Sequence, residues 1–276
     1  MTQKKSETLS HPIDLSGIKQ STRIENAPPD LFDPNAPRLG RRESEPHSSE
    51  ITYLYDVLTT TFPESRVVWD LHHYYVGAKG VLKEEKIDIQ FDVSFFQDLK
   101  IPHSLSSYDA RKYEGKVPDI AINVLSKSTW RADLSDHADT CNILGIPVYA
   151  VFSPYKVASK VYDPPFLRVF LLQDDGSYKQ IDLRRITLNE GESIEDEKHI
   201  IDVSDKLPFR LGLMRLKHQH EGDLPLFRLI FIDPSEPKIL LTRAETAEKA
   251  KVEAEATAEK AEKLLLQYRE RFGELQ

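Results

Sequence analysis

A single cysteine, Cys141, stands among 276 residues. That scarcity excludes a disulfide framework and any zinc centre built on several thiolates. Long apolar runs are missing as well. None approaches the roughly 18 residues that a membrane-spanning helix needs, so no membrane association is expected. The first ten residues carry Lys4 and Lys5 but no apolar stretch of the secretory kind. Excess positive charge is the third absence: 37 Lys and Arg face 45 Asp and Glu, for a net charge of −8. These features together predict a cytoplasmic protein.

The acidic excess is concentrated. Residues 1–48 hold seven basic and seven acidic side chains, and residues 243–276 hold seven and eight. The intervening segment holds 23 and 30. A protein that grips nucleic acid mainly through the phosphate backbone usually shows the opposite sign. Tight non-specific DNA binding is disfavoured, while a local basic groove stays compatible with this charge.

Three segments differ in texture. Residues 1–48 contain six of the seventeen prolines and few apolar groups, the composition of a disordered or loosely attached arm. A core of residues 49–241 follows. Ser48 or Ser49 can cap a helix carrying Ile51, Leu54, Tyr55, Leu58 and Phe62 at helical spacing, which Pro63 ends. Strand-like runs come next. Val67 to Trp69 and Tyr74 to Val76 form one or two strands, and residues 87–93 alternate apolar and polar. Period two places Ile87, Ile89, Phe91 and Val93 on one face, with Asp88, Gln90 and Asp92 on the other.

Ile120 to Leu125 and Val148 to Phe152 read as buried strands. Between them, Asp133 can cap a helix over residues 134–144 that Gly145 stops. Asp174-Asp175-Gly176 joins two further strands as a hairpin, and Phe227 to Ile232 adds another. The fold class is thus α/β with antiparallel strands. The third segment, residues 242–276, opens on Thr242-Arg243-Ala244-Glu245, a capping box, and runs without glycine or proline to Gly273. It predicts a long charged helix. A coiled coil through Ala247, Ala254, Ala261 and Tyr268, and a solvated single helix, are both open.

Several polar residues sit awkwardly in these strands. Asp92 lies in an apolar run, and Asp119 and Asn123 share one face of their strand. The hydroxyl-rich Ser126-Lys127-Ser128-Thr129 follows, then Asp133 and His137 at i,i+4. Oxygen donors on neighbouring strands suit Mg²⁺ or Mn²⁺, and phosphodiester hydrolysis is the chemistry such a site serves. Each residue also has a plain structural alternative: a wet strand face, a turn after Pro118, a satisfied amide, a surface histidine.

The run from Val117 to Thr129, with Asp133, Leu144-Gly145-Ile146-Pro147-Val148-Tyr149 and Ser153-Pro154, resembles the Uma-two family of restriction-endonuclease-like proteins. The resemblance extends through the hairpin at Gly176, Leu211-Gly212-Leu213, and Leu240-Leu241-Thr242 leading into the final helix. It implies a PD-(D/E)XK nuclease-like fold: a mixed sheet flanked by helices, with a long C-terminal helix. The family aspartate maps to Asp92. Its glutamate maps to Asn123 and its lysine to His137, so two of the three catalytic groups are replaced.

Asparagine offers a cation a neutral oxygen, and histidine lacks the permanent charge of lysine. Two functions follow from the resemblance. One is a metal-dependent DNA endonuclease with a degenerate site. In it, Asp92 and Asn123 hold Mg²⁺ or Mn²⁺, and His137 orients or deprotonates water. The other is a catalytically inactive nuclease-like binding or assembly module. The final helix predicts a homo-oligomer in either case.

Overall fold

The alternation at residues 87–93 forms a strand, but the strand does not keep one face to one core. The computed structural model describes residues 44–77, 84–157, 162–217 and 225–273. The arm expected over residues 1–48 therefore lies outside the described residues as far as residue 43. Its last residues are not an arm. Helix α1 (Glu45–Thr61) begins there, with the Ser44 side chain accepting the His47 amide and proline in its first turn. A proline at that position costs no hydrogen bond and presets the helical φ.

A seven-stranded mixed sheet forms the centre. Its strands are β1 (Arg66–Val76), β2 (Lys86–Phe96), β3 (Tyr108–Asp109), β4 (Ile120–Val124), β5 (Val148–Phe152), β6 (Phe166–Leu172) and β7 (Tyr178–Arg184). The order is β3-β1-β2-β4-β5-β6-β7. β3 and β1 run parallel, as do β4 and β5, and the other neighbours are antiparallel. Every residue of β4 and of β5 is buried, which accounts for their apolar sequence, broken only by Asn123.

Two helices make the crossover between β4 and β5: α2 (Trp130–Leu134) and α3 (Asp136–Leu144). One helix capped by Asp133 was expected. Instead Ser135 leaves the helical region with φ −127° and ψ −84°, and Asp133 lies inside α2, buried. Gly145 ends α3 in the left-handed conformation, φ +76°, as the stop signal requires.

A second sheet of four strands packs on one face of the first, a layer that the periodicity did not reveal. It comprises β8 (Leu188–Asn189), β9 (Ile200–Ile201), β10 (Arg210–Arg215) and β11 (Phe227–Ile232). One hydrophobic core joins α1, this second sheet and the near face of the large sheet, through residues such as Leu54, Val93, Ile122, Leu211 and Phe231. A second core lies between the far face and α2–α3, and contains Phe91, Ala121, Tyr149, Ala138 and Cys141.

β2 contributes to both cores. Ile87, Ile89 and Phe91 enter the far core, whereas Val93 and Phe95 enter the near one. The exchange occurs at Asp92. Opposite it in register, Asp70 has φ +49°, a left-handed conformation that an extended ladder cannot accommodate. The shared face expected for Ile87, Ile89, Phe91 and Val93 is corrected accordingly.

Helix α4 (Arg243–Phe272) occupies the span expected of it. Thr242 and Glu245 complete the reciprocal capping box. Every residue from Arg243 to Arg271 is exposed. Among the described residues, no helix is long and apolar enough to cross a membrane.

Candidate functional site

The sheet opens where Asp92 meets Asn123. Antiparallel pairing of β2 with β4 runs through Phe95–Ile120, Ser94–Ala121 and Val93–Ile122 and stops there. At the next position, side chains replace the ladder. The Asp92 amide donates to Asn123 Oδ1 at 3.2 Å, and the Val124 amide donates to Asp92 Oδ2 at 2.6 Å. Backbone groups freed by the parting strands are thus satisfied by the two residues that the sequence singles out.

Helix α2 supplies the next partner. Asn123 Nδ2 donates to Asp133 Oδ1 at 2.9 Å. His137 Nδ1, on α3, lies 3.0 Å from the same oxygen and 3.2 Å from Asn123 Nδ2. Because the amide nitrogen is itself a donor, the consistent arrangement has both groups donating to Asp133 Oδ1. A neutral His137 then keeps its lone pair on Nε2, and its side chain is 25% exposed. Tyr149 fixes α2 from below, its hydroxyl donating to the Asp133 carbonyl at 2.9 Å.

A fifth member comes from the start of α1. His47 Nε2 stands 3.4 Å from Asp92 Oδ2, and the imidazole is buried. Burial raises the Asp92 carboxyl above its ordinary range. His47 and the Val124 amide oppose that shift, and the negative charge of Asp133 adds to it. The site therefore consists of two carboxylate–imidazole pairs, His47–Asp92 and Asp133–His137, bridged by one amide.

Asp92, Asn123 and His137 converge as the sequence suggests. His47 and Asp133 extend the group. The signal for His47 was present: Ser44, an acidic residue and a proline make a helix start, but they lie in a proline-rich tract. Asp133 was visible, both as a cap and at i,i+4 from His137, but was not among the expected metal or catalytic residues. Other candidates do not join. Asp119 Oδ2 accepts the Gln97 amide at 2.8 Å and serves a turn. Asp88 pairs with His72 at the surface. The hydroxyls of Ser126, Ser128 and Thr129 bond to one another, at 2.8 Å for Ser126–Thr129 and 3.1 Å for Ser126–Ser128.

The residues present do not fit the expected divalent cation as they are arranged. The Asn123 oxygen faces a backbone amide, Asp92 Oδ2 is held by another, and Asp133 Oδ1 takes two donors. Among the described residues, no group of three or more His, Cys, Asp or Glu is placed to hold a metal ion. One oxygen stands apart. Asp133 Oδ2 is buried and has no hydrogen-bond partner.

No family model matches the sequence, and no curated protein does. Among solved structures, the chain is similar to that of "a putative nuclease belonging to DUF820" from Anabaena variabilis ATCC 29413. The two are 14% identical, with a TM-score of 0.37, over 51% of this chain and 68% of that one.

Proposed function

We propose that this protein is a restriction-endonuclease-like domain with a degenerate active site, in which metal-dependent hydrolysis of DNA has been lost and binding or assembly is kept. Support for the nuclease-like part comes from the resemblance over residues 117–129 and from the convergence of Asp92, Asn123 and His137. The loss rests on one observation: both ends of the Asn123 amide are used internally, towards Asp92 and Asp133. A charged glutamate oxygen at that position would seek a cation. The amide instead closes the network.

Phosphoryl chemistry needs positive charge aimed at the charge that develops on the phosphate. The side chains of this cluster supply none that is permanent. His137 can take a proton through Nε2, and Asp133 orients it to do so, but a base alone leaves the phosphate unstabilised.

A second reading, a slow Mg²⁺- or Mn²⁺-dependent DNA endonuclease, is favoured by the buried, partnerless Asp133 Oδ2. It offers a lone pair beside Asp92 and Asn123. Nicking of supercoiled plasmid with either cation separates the two. Slight or no cleavage by the native chain, rising in Asn123→Glu with His137→Lys, supports the degenerate site. Strong native cleavage that Asp92→Ala abolishes supports the active endonuclease. No cleavage by the double variant, with its fold intact, would count against this site altogether.

A further inference from the structure

Helix α4 carries a face that the body of the protein leaves in solvent. At 1.5 Å per residue its 30 residues extend about 45 Å. Ala247, Ala250, Ala254, Ala258, Ala261, Leu265 and Tyr268 recur at spacings of three and four, so they form one stripe along it. The stripe is graded. Its first part is alanine only. Its last part is bulky and apolar, with Leu265 47% and Tyr268 58% exposed, flanked by Leu264 and Leu266 at 61% and 59%. A contiguous apolar patch of this kind on a charged helix marks a contact surface.

Charge is graded along the same axis. Residues 243–259 hold three basic and five acidic side chains, and residues 260–271 hold four basic and two acidic. The alanine half is thus net negative and the leucine–tyrosine half net positive.

We propose that α4 pairs with α4 of a second copy of this chain, antiparallel. This inference rests on the assembly part of the reading above. Both gradients select the occupant and its direction. In a parallel pair, alanine would lie on alanine and leave the helices held by little area. Bulky residues would crowd at the other end, and each half would face its own charge. In an antiparallel pair, Leu265 and Tyr268 of one helix lie over Ala250 and Ala247 of the other, so large side chains fill the space that small ones leave. The negative half of each helix then runs beside the positive half of its partner. Under this reversal Ala247 is set against Tyr268, Ala250 against Leu265, and Ala254 against Ala261.

The test uses the full chain. Sedimentation equilibrium is expected to show a dimer, and Leu265→Glu with Tyr268→Glu is expected to raise its dissociation constant at least about tenfold. Circular dichroism and thermal unfolding check that the core is unchanged. Direction is read separately, from spin labels at Glu248→Cys, since Cys141 is buried. Antiparallel pairing sets residue 248 of one copy near residue 267 of the other, so the labels stand roughly 30 Å apart. Parallel pairing brings them to about the interaxial spacing of 8–10 Å plus the linkers.

A monomer at all attainable concentrations, a dimer insensitive to the double substitution, or closely spaced labels would each overturn the proposal. None of these results bears on plasmid nicking, so failure here leaves the nuclease-like reading standing, and the converse also holds.

Discussion

Asp70 and Asp92 stand opposite each other across the β1–β2 pair at a position where the ladder lapses, between Trp69–Val93 and Leu71–Phe91. Asp70 takes a left-handed conformation, and Asp92 turns to the other neighbour, β4, through its amide and carboxylate. The break does two things at once. It moves the following β2 side chains to the other core, and it releases Asp92 from regular pairing so that its carboxylate can meet α1 and β4.

Replacing His47 tests whether Asp92 depends on that neighbour. The imidazole holds the buried carboxyl down against desolvation. His47→Ala is expected to raise the Asp92 pKa further and to destabilise the fold by on the order of 1–3 kcal/mol, the usual cost of leaving a buried polar group without its partner. Carbon-detected NMR titration of the carboxyl gives the first quantity and urea unfolding the second. An unmoved titration curve would remove His47 from the site.

Asn123→Glu introduces a carboxylate beside Asp92 and Asp133. Without a cation, three negative groups repel in a buried place, so stability is expected to fall by a few kcal/mol. Mn²⁺ should restore part of that loss by binding the folded form. Calorimetry is expected to show tighter Mn²⁺ binding than in the native chain. Equal weak binding by both would mean that the three oxygens do not share one cation.

Glu50 sets a pH dependence. Burial raises its carboxyl from 4.5 to about 7, against the pull of Arg228, whose Nε lies 3.1 Å from Oε1. A raised acid favours the protonated folded state. Its contribution therefore falls as pH climbs from about 4.5 to about 7, by on the order of 3 kcal/mol. His73 works in the other direction. Burial lowers it to about 4, so its contribution is lost as pH falls from about 6.5 towards 4. The two contributions oppose each other where the windows overlap. Glu50→Gln is expected to gain stability relative to the native chain as pH rises, measured by urea unfolding at several pH values. A constant difference would show that Glu50 keeps its charge throughout.

Gly212 offers a packing test in the second sheet. A Cβ there would stand 2.9 Å from the His199 carbonyl oxygen and 3.1 Å from Ile232 Cδ1. Gly212→Ala should cost about 1–3 kcal/mol, the range for overpacking, and lower the thermal midpoint. An unchanged midpoint would mean that the backbone at His199 yields freely.

Legibility in the sequence followed locality. The span of α4, the buried β4 and β5, and the hairpin at Gly176 were readable because a cap, an apolar run or a turn residue fixes each from within. The face exchange in β2 was not. It depends on Asp70, twenty-two residues away in sequence, taking a conformation that no short window requires. The second sheet was hidden for another reason: β8 and β9 have two residues each, too few for any period. At the site, Asp92, Asn123 and His137 stood out as polar residues in or beside apolar strands, and the resemblance gave them roles. His47 was missed because a proline-rich composition describes a segment's average and not its last turn.

Polar contacts run along helix α1. His47 reaches Asp92, Glu50 pairs with Arg228 of β11, and Asp56 Oδ2 accepts the Arg243 amide at the base of α4 at 3.1 Å. The first and last lie nine residues apart on a stiff rod, about 14 Å. The base of the long exposed helix and the carboxylate where the central sheet parts are thus both anchored on this one rod.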